Sequence, residues 1–143
     1  MSHIPVNHPL RPLYRVVAAI TGIYILAFGV LGLVATLGEP MFDRDDVIVL
    51  GLRTNQAFAI ASVIAGAVIL LAAFVGRNVD TRVNLWAGPV FIVAGTAMLA
   101  LLHTDLNLLN ASVATAVTSY VIGLVLLTAG LYGRVSTGPA ERH

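Results

Sequence analysis

A histidine, a carboxylate and two amides meet at one place in an otherwise apolar chain, the stretch Leu102-His103-Thr104-Asp105-Leu106-Asn107-Leu108-Leu109-Asn110. Histidine and aspartate are ingredients of metal sites and proton relays. Their spacing works against both, because residues two apart diverge on a helix, and no metal-ligand signature surrounds them. A histidine at a helix C-terminus followed by Thr-Asp suits a turn in which the imidazole meets the negative end of the helix dipole. The expectation is a turn, with His103 and Asp105 as weak ligand candidates and Asn110 capping the next helix. Asn110-Ala111-Ser112 also fits a glycosylation sequon, but its place at a membrane edge favours the cap.

Two further groups carry polar chemistry. Tyr24 and Tyr120 fall near the middle of apolar runs, where a phenol needs a hydrogen-bond partner. They either line a pocket for a lipid tail or quinone, or bond a helix hydroxyl such as Thr21, Thr96 or Ser62 and act as packing contacts. The segment Glu39-Pro40-Met41-Phe42-Asp43-Arg44-Asp45-Asp46 could hold a cation or a basic partner, yet its acids lack the spacing, the glycine and the terminal glutamate of a calcium loop. A solvated loop is expected there. Val47 to Leu52 is too short to span and should lie extended at the surface, as a lid if it is buried against the helices.

The elements that must position these residues follow from composition. Of 143 residues, 58% are apolar and 10% charged, against about 25% charged in soluble domains, and the mean hydropathy is +0.91. A net charge of +1 gives no reason to expect nucleic acid, and the absence of cysteine removes disulfides, thiol catalysis and cysteine metal sites. All the basic residues are arginine, which fits the codon bias of a GC-rich genome.

A membrane helix needs about 20 apolar residues, and the runs 16–37, 57–75, 85–102 and 111–132 meet that test without an Asp, Glu, Lys or Arg. Their punctuation agrees. Gly38 and Pro40 stop the first, Asn55 caps the second, Asp80 or Thr81 the third, and Gly76-Arg77 and Gly133-Arg134 end the second and fourth alike. At about 22 residues the first run exceeds the roughly 7–15 of a signal-peptide core and no Ala-x-Ala-like site follows, so it stays as a span. The expected fold is all-α, a polytopic four-helix membrane bundle built as two helical hairpins, with residues 1–15 as a lead-in and 134–143 as a tail. Pro9-Leu10-Arg11-Pro12, although similar to a polyproline motif, reads as chain leading into a helix. Leu71 to Arg77 echoes Leu127 to Arg134 with one residue inserted, which hints at a duplication.

Arg11, Arg15, Arg77, Arg82, Arg134 and Arg142 fall on one side of the spans and only Arg44 and Arg53 on the other, so both termini should be cytoplasmic. Tyr14, Phe74, Trp86 and Tyr132 would form an aromatic girdle there. Small residues four apart mark packing faces in lipid. Ala57, Ala61 and Ala65 make one such row beside Ser62 and Gly66, and Thr115, Ser119 and Gly123 another after Ala111. Gly22 and Gly29, and Gly88 and Gly95, repeat at matching spacings, while Pro89 sits near the start of the third run and could kink it.

The Leu50-Gly51-Leu52-Arg53-Thr54-Asn55 element opening the second span and the Leu106-Asn107-Leu108-Leu109-Asn110 element opening the fourth resemble those of the domain-of-unknown-function family 4383, from about Tyr14 to Arg134. That resemblance implies a small four-helix membrane protein of a kind common in actinobacteria. It implies no activity. Many relatives carry histidines at the starts of the second and fourth helices; here Gln56-Ala57-Phe58-Ala59 and Ala111-Ser112-Val113-Ala114 have none, so histidine chemistry does not carry over.

The expected function is a non-enzymatic integral protein of the bacterial cytoplasmic membrane. It would act as an accessory or scaffolding subunit, with membrane lipids, other integral subunits or a second copy as partners. A small transporter or channel, and a lipid or quinone binder with a pocket near Tyr24 and Tyr120, are the alternatives. Proton-coupled transport normally requires an ionisable group within a span, and a bis-histidine haem requires two intramembrane histidines. Neither is present, and no cofactor is expected.

Overall fold

The structure, a computed structural model, describes residues 9–133. Four helices, α1 (Arg11–Ala35), α2 (Gln56–Val75), α3 (Val79–Leu101) and α4 (Val113–Tyr132), are joined by a long first connection, a tight second one and a short third one. Each is long and apolar enough to cross a membrane, at about 1.5 Å of rise per residue. The chain is therefore a multi-pass membrane protein of all-α class. Packing is closest within the pairs α1·α2 and α3·α4, and these two hairpins meet more sparsely through α1·α4 and α2·α3.

Several boundaries differ from the sequence expectation, each for a local reason. α1 begins at Arg11, with a proline in its first turn where the missing N–H costs nothing, and it ends at Ala35 as Thr36 bonds back to Gly32 through both N–H and Oγ1. α3 begins at Val79, well before residue 85, so neither Asp80 nor Thr81 is its cap: both lie inside the helix and are buried. The turn into it is made by Gly76, Arg77 and Asn78, all at positive φ. Pro89 consequently sits deep inside α3 and removes the donor that would bond the Leu85 carbonyl. α4 is capped by Ser112, whose side chain forms a capping box with Thr115. Asn110, expected as that cap, instead sits at φ 53° with its side chain turned to the first connection. Asn55 does cap α2, its Oδ1 accepting from the Phe58 N–H at 2.9 Å. The tail 134–143 and the lead-in 1–8 lie outside the described residues, as do Arg134 and Arg142.

The two hairpins share one packing pattern. α2 and α4 are both 20 residues long, and aligning their first residues superposes the buried positions Ala59, Ser62, Gly66, Ile69 and Ala72 on Ala116, Ser119, Gly123, Leu126 and Ala129. No inserted residue is needed, which corrects the alignment expected from sequence. A Cβ placed on Gly22 would meet Leu70 N at 3.0 Å and Gly66 O at 3.3 Å; one on Gly88 would meet Leu127 N at 2.8 Å and Gly123 O at 2.9 Å. In each hairpin the same pair of glycines lets two backbones touch, the device by which helices associate in lipid.

Candidate functional site

The hairpins are fastened to each other at both ends of the bundle. At the end carrying the two longer connections, Asn55 Nδ2 donates to Leu108 O (2.7 Å) and Asp43 O (3.2 Å). Asn110 Nδ2 donates to Asp45 O (2.7 Å) and Thr54 O (3.1 Å), while its Oδ1 accepts from Arg53 Nη2. Both asparagines are 1% exposed. Arg44 adds an exposed tie, donating to Asp105 O at 2.7 Å. The segment after the acidic loop is a two-stranded hairpin, β1 (Ile48–Val49) and β2 (Leu52–Arg53), whose Val49 and Leu52 are buried against Phe28 and Phe58. It forms the lid that its sequence allowed. At the opposite end Tyr14 of α1 stacks on Tyr132 of α4, 5.6 Å between ring centroids, while within the first hairpin Arg15 donates to carbonyls near the end of α2, Ala73 O at 2.7 Å and Phe74 O at 3.1 Å.

Between these fastenings the hairpins part around a crevice of about 160 Å³. α1 contributes Tyr24, Ile25 and Phe28; α2 contributes Phe58, Ala61, Ser62 and Ala65; α3 contributes Phe91, Ala94 and Met98; α4 contributes Thr115, Thr118, Ser119 and Ile122. Leu52 of β2 and Leu109 of the third connection close it towards the capped end. An ionisable group enters the lining only as the phenol of Tyr24.

The sequence candidates divide accordingly. Thr115, Ser119 and Gly123 are buried in α4, and Gly123 touches α3, since a Cβ there would lie 2.7 Å from Gly88 O. Of the Ala57, Ala61 and Ala65 row, Ala65 packs against the core cluster that includes Ile25 and Leu126. Ala61 is exposed and Ala57 and Ala65 half-buried, while Ala59 and Gly66, next to that row, make the close approach to α1, where Gly29, Gly32, Gly22 and Leu26 face them. The row's inner members open on the crevice instead, because α1 already occupies the adjoining face. Tyr24 lines the crevice, and Tyr120 bonds Thr96 Oγ1 at 2.8 Å. His103 and Asp105 are exposed in the third connection, whose Asn107 Nδ2 bonds Leu102 O and Ala111 O.

Glu39, Asp43 and Asp45 bring carboxylate oxygens within 4.8 Å of one another on the acidic loop. The charge of Asp43, and then a hydrogen bond with its side chain, holds the Asp45 carboxyl above its ordinary range. Asp46 pairs with Arg53 at 3.7 Å. Phe28, Phe58, Phe91 and Met98 were not singled out by sequence, because aromatics within a span read equally well as lipid-facing; only their place beside small residues hinted otherwise. No protein-family model matches the chain, and no curated protein and no solved structure matches it.

Proposed function

We propose that this chain is a non-enzymatic integral membrane protein that holds an apolar molecule, a lipid tail or a similar chain, between its two hairpins. The observation that carries this reading is the crevice: each helix is close-packed within its own hairpin through glycine contacts, yet the seam between hairpins is left open and lined by aromatic and aliphatic side chains. Interiors normally fill such space, and apolar cavities of this size take apolar guests. The scarcity of ionisable groups in the lining supports binding over chemistry. With the arginine distribution, the capped end would face away from the cytoplasm and the bilayer would be the cytoplasmic membrane of a bacterium.

Titrating decylbenzene into the protein in phosphatidylcholine nanodiscs tests this. The Ala61 and Ala65 methyl resonances should shift and saturate, and Ala61→Leu, which fills the crevice, should abolish saturation. Shifts that grow without saturating in both proteins would mean simple partition into the bilayer and would sink the proposal.

A second reading, an accessory subunit packing against another membrane protein, is supported by a shallow groove between α2 and α3. It includes Val68, Ala87 and Val90, and Trp86 stands 78% exposed on it. Loss of a co-purifying membrane protein on Ala87→Leu, with the bundle intact, is the outcome that reading requires.

A further inference from the structure

Asp80 is a carboxylate that the bundle buries without pairing. It lies in the first turn of α3, 6% exposed, and no described residue gives it a hydrogen bond or an ion pair. The positive end of the helix favours a negative charge there, but none of its N–H groups donates to the side chain. The polar neighbours on α3 give no relief, since Thr81 Oγ1 and Asn84 Oδ1 are themselves buried without partners. Those two atoms are fully enclosed, whereas the Asp80 oxygens are not. Asp80 opens on a cavity of about 270 Å³ at the short-loop end of the bundle.

Two guanidinium groups share that cavity. Arg77 stands on it in the left-handed turn before α3, and Arg15 reaches it from α1. Arg15 is held by Ala73 O and Phe74 O, which use its Nε and Nη2 and leave Nη1 unspent on any described residue. Neither arginine forms an ion pair with Asp80. Carboxylates this buried are normally paired, and an uncompensated one is costly. One cavity therefore carries a carboxylate and two cations standing apart, an arrangement that a ligand with one charge of each sign completes. The depth of the cavity narrows the choice. Pro12, Val16 and Asp80 belong to the beginnings of two spans and Gly133 follows the end of a third, which is the level of lipid head groups. Val16, 54% exposed, opens the wall towards the bilayer.

We propose that this cavity binds an aminoalkyl phosphate, the head group of an ethanolamine phospholipid or the same compound free in solution. Its ammonium donates to the Asp80 carboxylate, and its phosphate accepts from Arg77 and from Arg15 Nη1. A choline head group has no N–H to donate and a glycerol head group has no cation. The site shares no lining residue with the crevice, so it stands or falls apart from the reading above.

The test titrates the full chain in detergent with phosphatidylethanolamine, phosphatidylcholine and phosphatidylglycerol of one acyl composition, and with O-phosphoethanolamine, counting bound molecules by native mass spectrometry. The ethanolamine lipid should bind about tenfold more tightly than the other two, the scale of one charge-assisted hydrogen bond. Asp80→Asn should erase that preference without weakening the choline lipid. Arg77→Asn, which keeps a residue suited to the left-handed turn, should weaken all three lipids alike, and Asp105→Asn, at the other end of the bundle, should change nothing. O-phosphoethanolamine that displaces the lipid at comparable concentration names the free compound as the ligand; its failure to do so names the lipid. Equal binding of the three lipids by the wild type, or tightest binding of the glycerol lipid, overturns the proposal without need of any variant. A preference that survives Asp80→Asn overturns it as well, because the carboxylate is then not what receives the ammonium.

Discussion

Asn55 and Asn110 each reach out of their own hairpin to bond backbone of the other, Asn55 to Leu108 O at 2.7 Å and Asn110 to Asp45 O at 2.7 Å. This exchange is a clasp. Each amide donates to carbonyls of the loops at a part-buried seam, and together they hold the capped end closed over the crevice.

Removing the clasp should cost more than removing an ordinary helix cap. Asn110→Ala loses bonds to three partners and places alanine at φ 53°, where a side chain other than Asn or Gly is strained. A loss of about 2–4 kcal/mol is expected. Asn110→Gly relieves the backbone strain but not the lost bonds, so it should recover only part of this. Ser112→Ala, at the true cap of α4, should cost about 0.5–2 kcal/mol. Thermal denaturation in one detergent ranks the three, and an Asn110→Ala loss no larger than that of Ser112→Ala would show that the clasp contributes nothing.

The small residues of α2 and α4 should respond to enlargement according to what they face. Gly123→Ala in α4 and Gly66→Ala in α2 put a Cβ against the opposing backbone, 2.7 Å from Gly88 O and 2.9 Å from Gly22 O. Each should destabilise by about 1–3 kcal/mol. Ala61→Leu extends into open space and should leave the midpoint within about 0.5 kcal/mol of wild type. The same denaturation measurement decides; a large loss at Ala61 would mean that its row is a packing face.

Acidification should act on the acidic loop through Asp45. Its carboxyl titrates above the ordinary range because Asp43 repels its charged form, so the ionised group opposes the folded loop at neutral pH and that opposition fades as pH falls through the raised pKa. Asp45→Asn should therefore raise the midpoint slightly at neutral pH, and the gap between variant and wild type should close in acid. A gap that widens as pH falls would reverse the sign of the assigned interaction. Added salt should shrink it as well.

The capped end and the short-loop end should label from opposite sides of the membrane. The chain has no native cysteine, so Asp45→Cys and Arg77→Cys each report a single position. An impermeant maleimide applied to intact cells should modify the first and spare the second. Modification of both would remove the four-span topology, and the reverse pattern would invert the orientation.

The sequence by itself determined the spans and their number, since apolar length and missing charge are properties of each run in isolation. It also placed a turn around His103, where the structure has the connection between α3 and α4. It placed Asn55 rightly at the cap of α2 and misjudged the caps of α3 and α4: Ser112 rather than Asn110 caps α4, and the Asn110 side chain is engaged instead by Asp45, Arg53 and Thr54. It also marked small residues as contact faces without telling that Ala59 and Gly66, rather than Ala57 and Ala61, make the close approach to α1. That choice depends on where α1 packs, a relation between residues distant in sequence. Only the tertiary structure decided that the seam stays open, and that of two equivalent serines Ser119 is bonded while Ser62 faces the crevice. The physical reason is that hydrophobic length is written in one segment at a time, whereas a cavity exists only in the mismatch between segments.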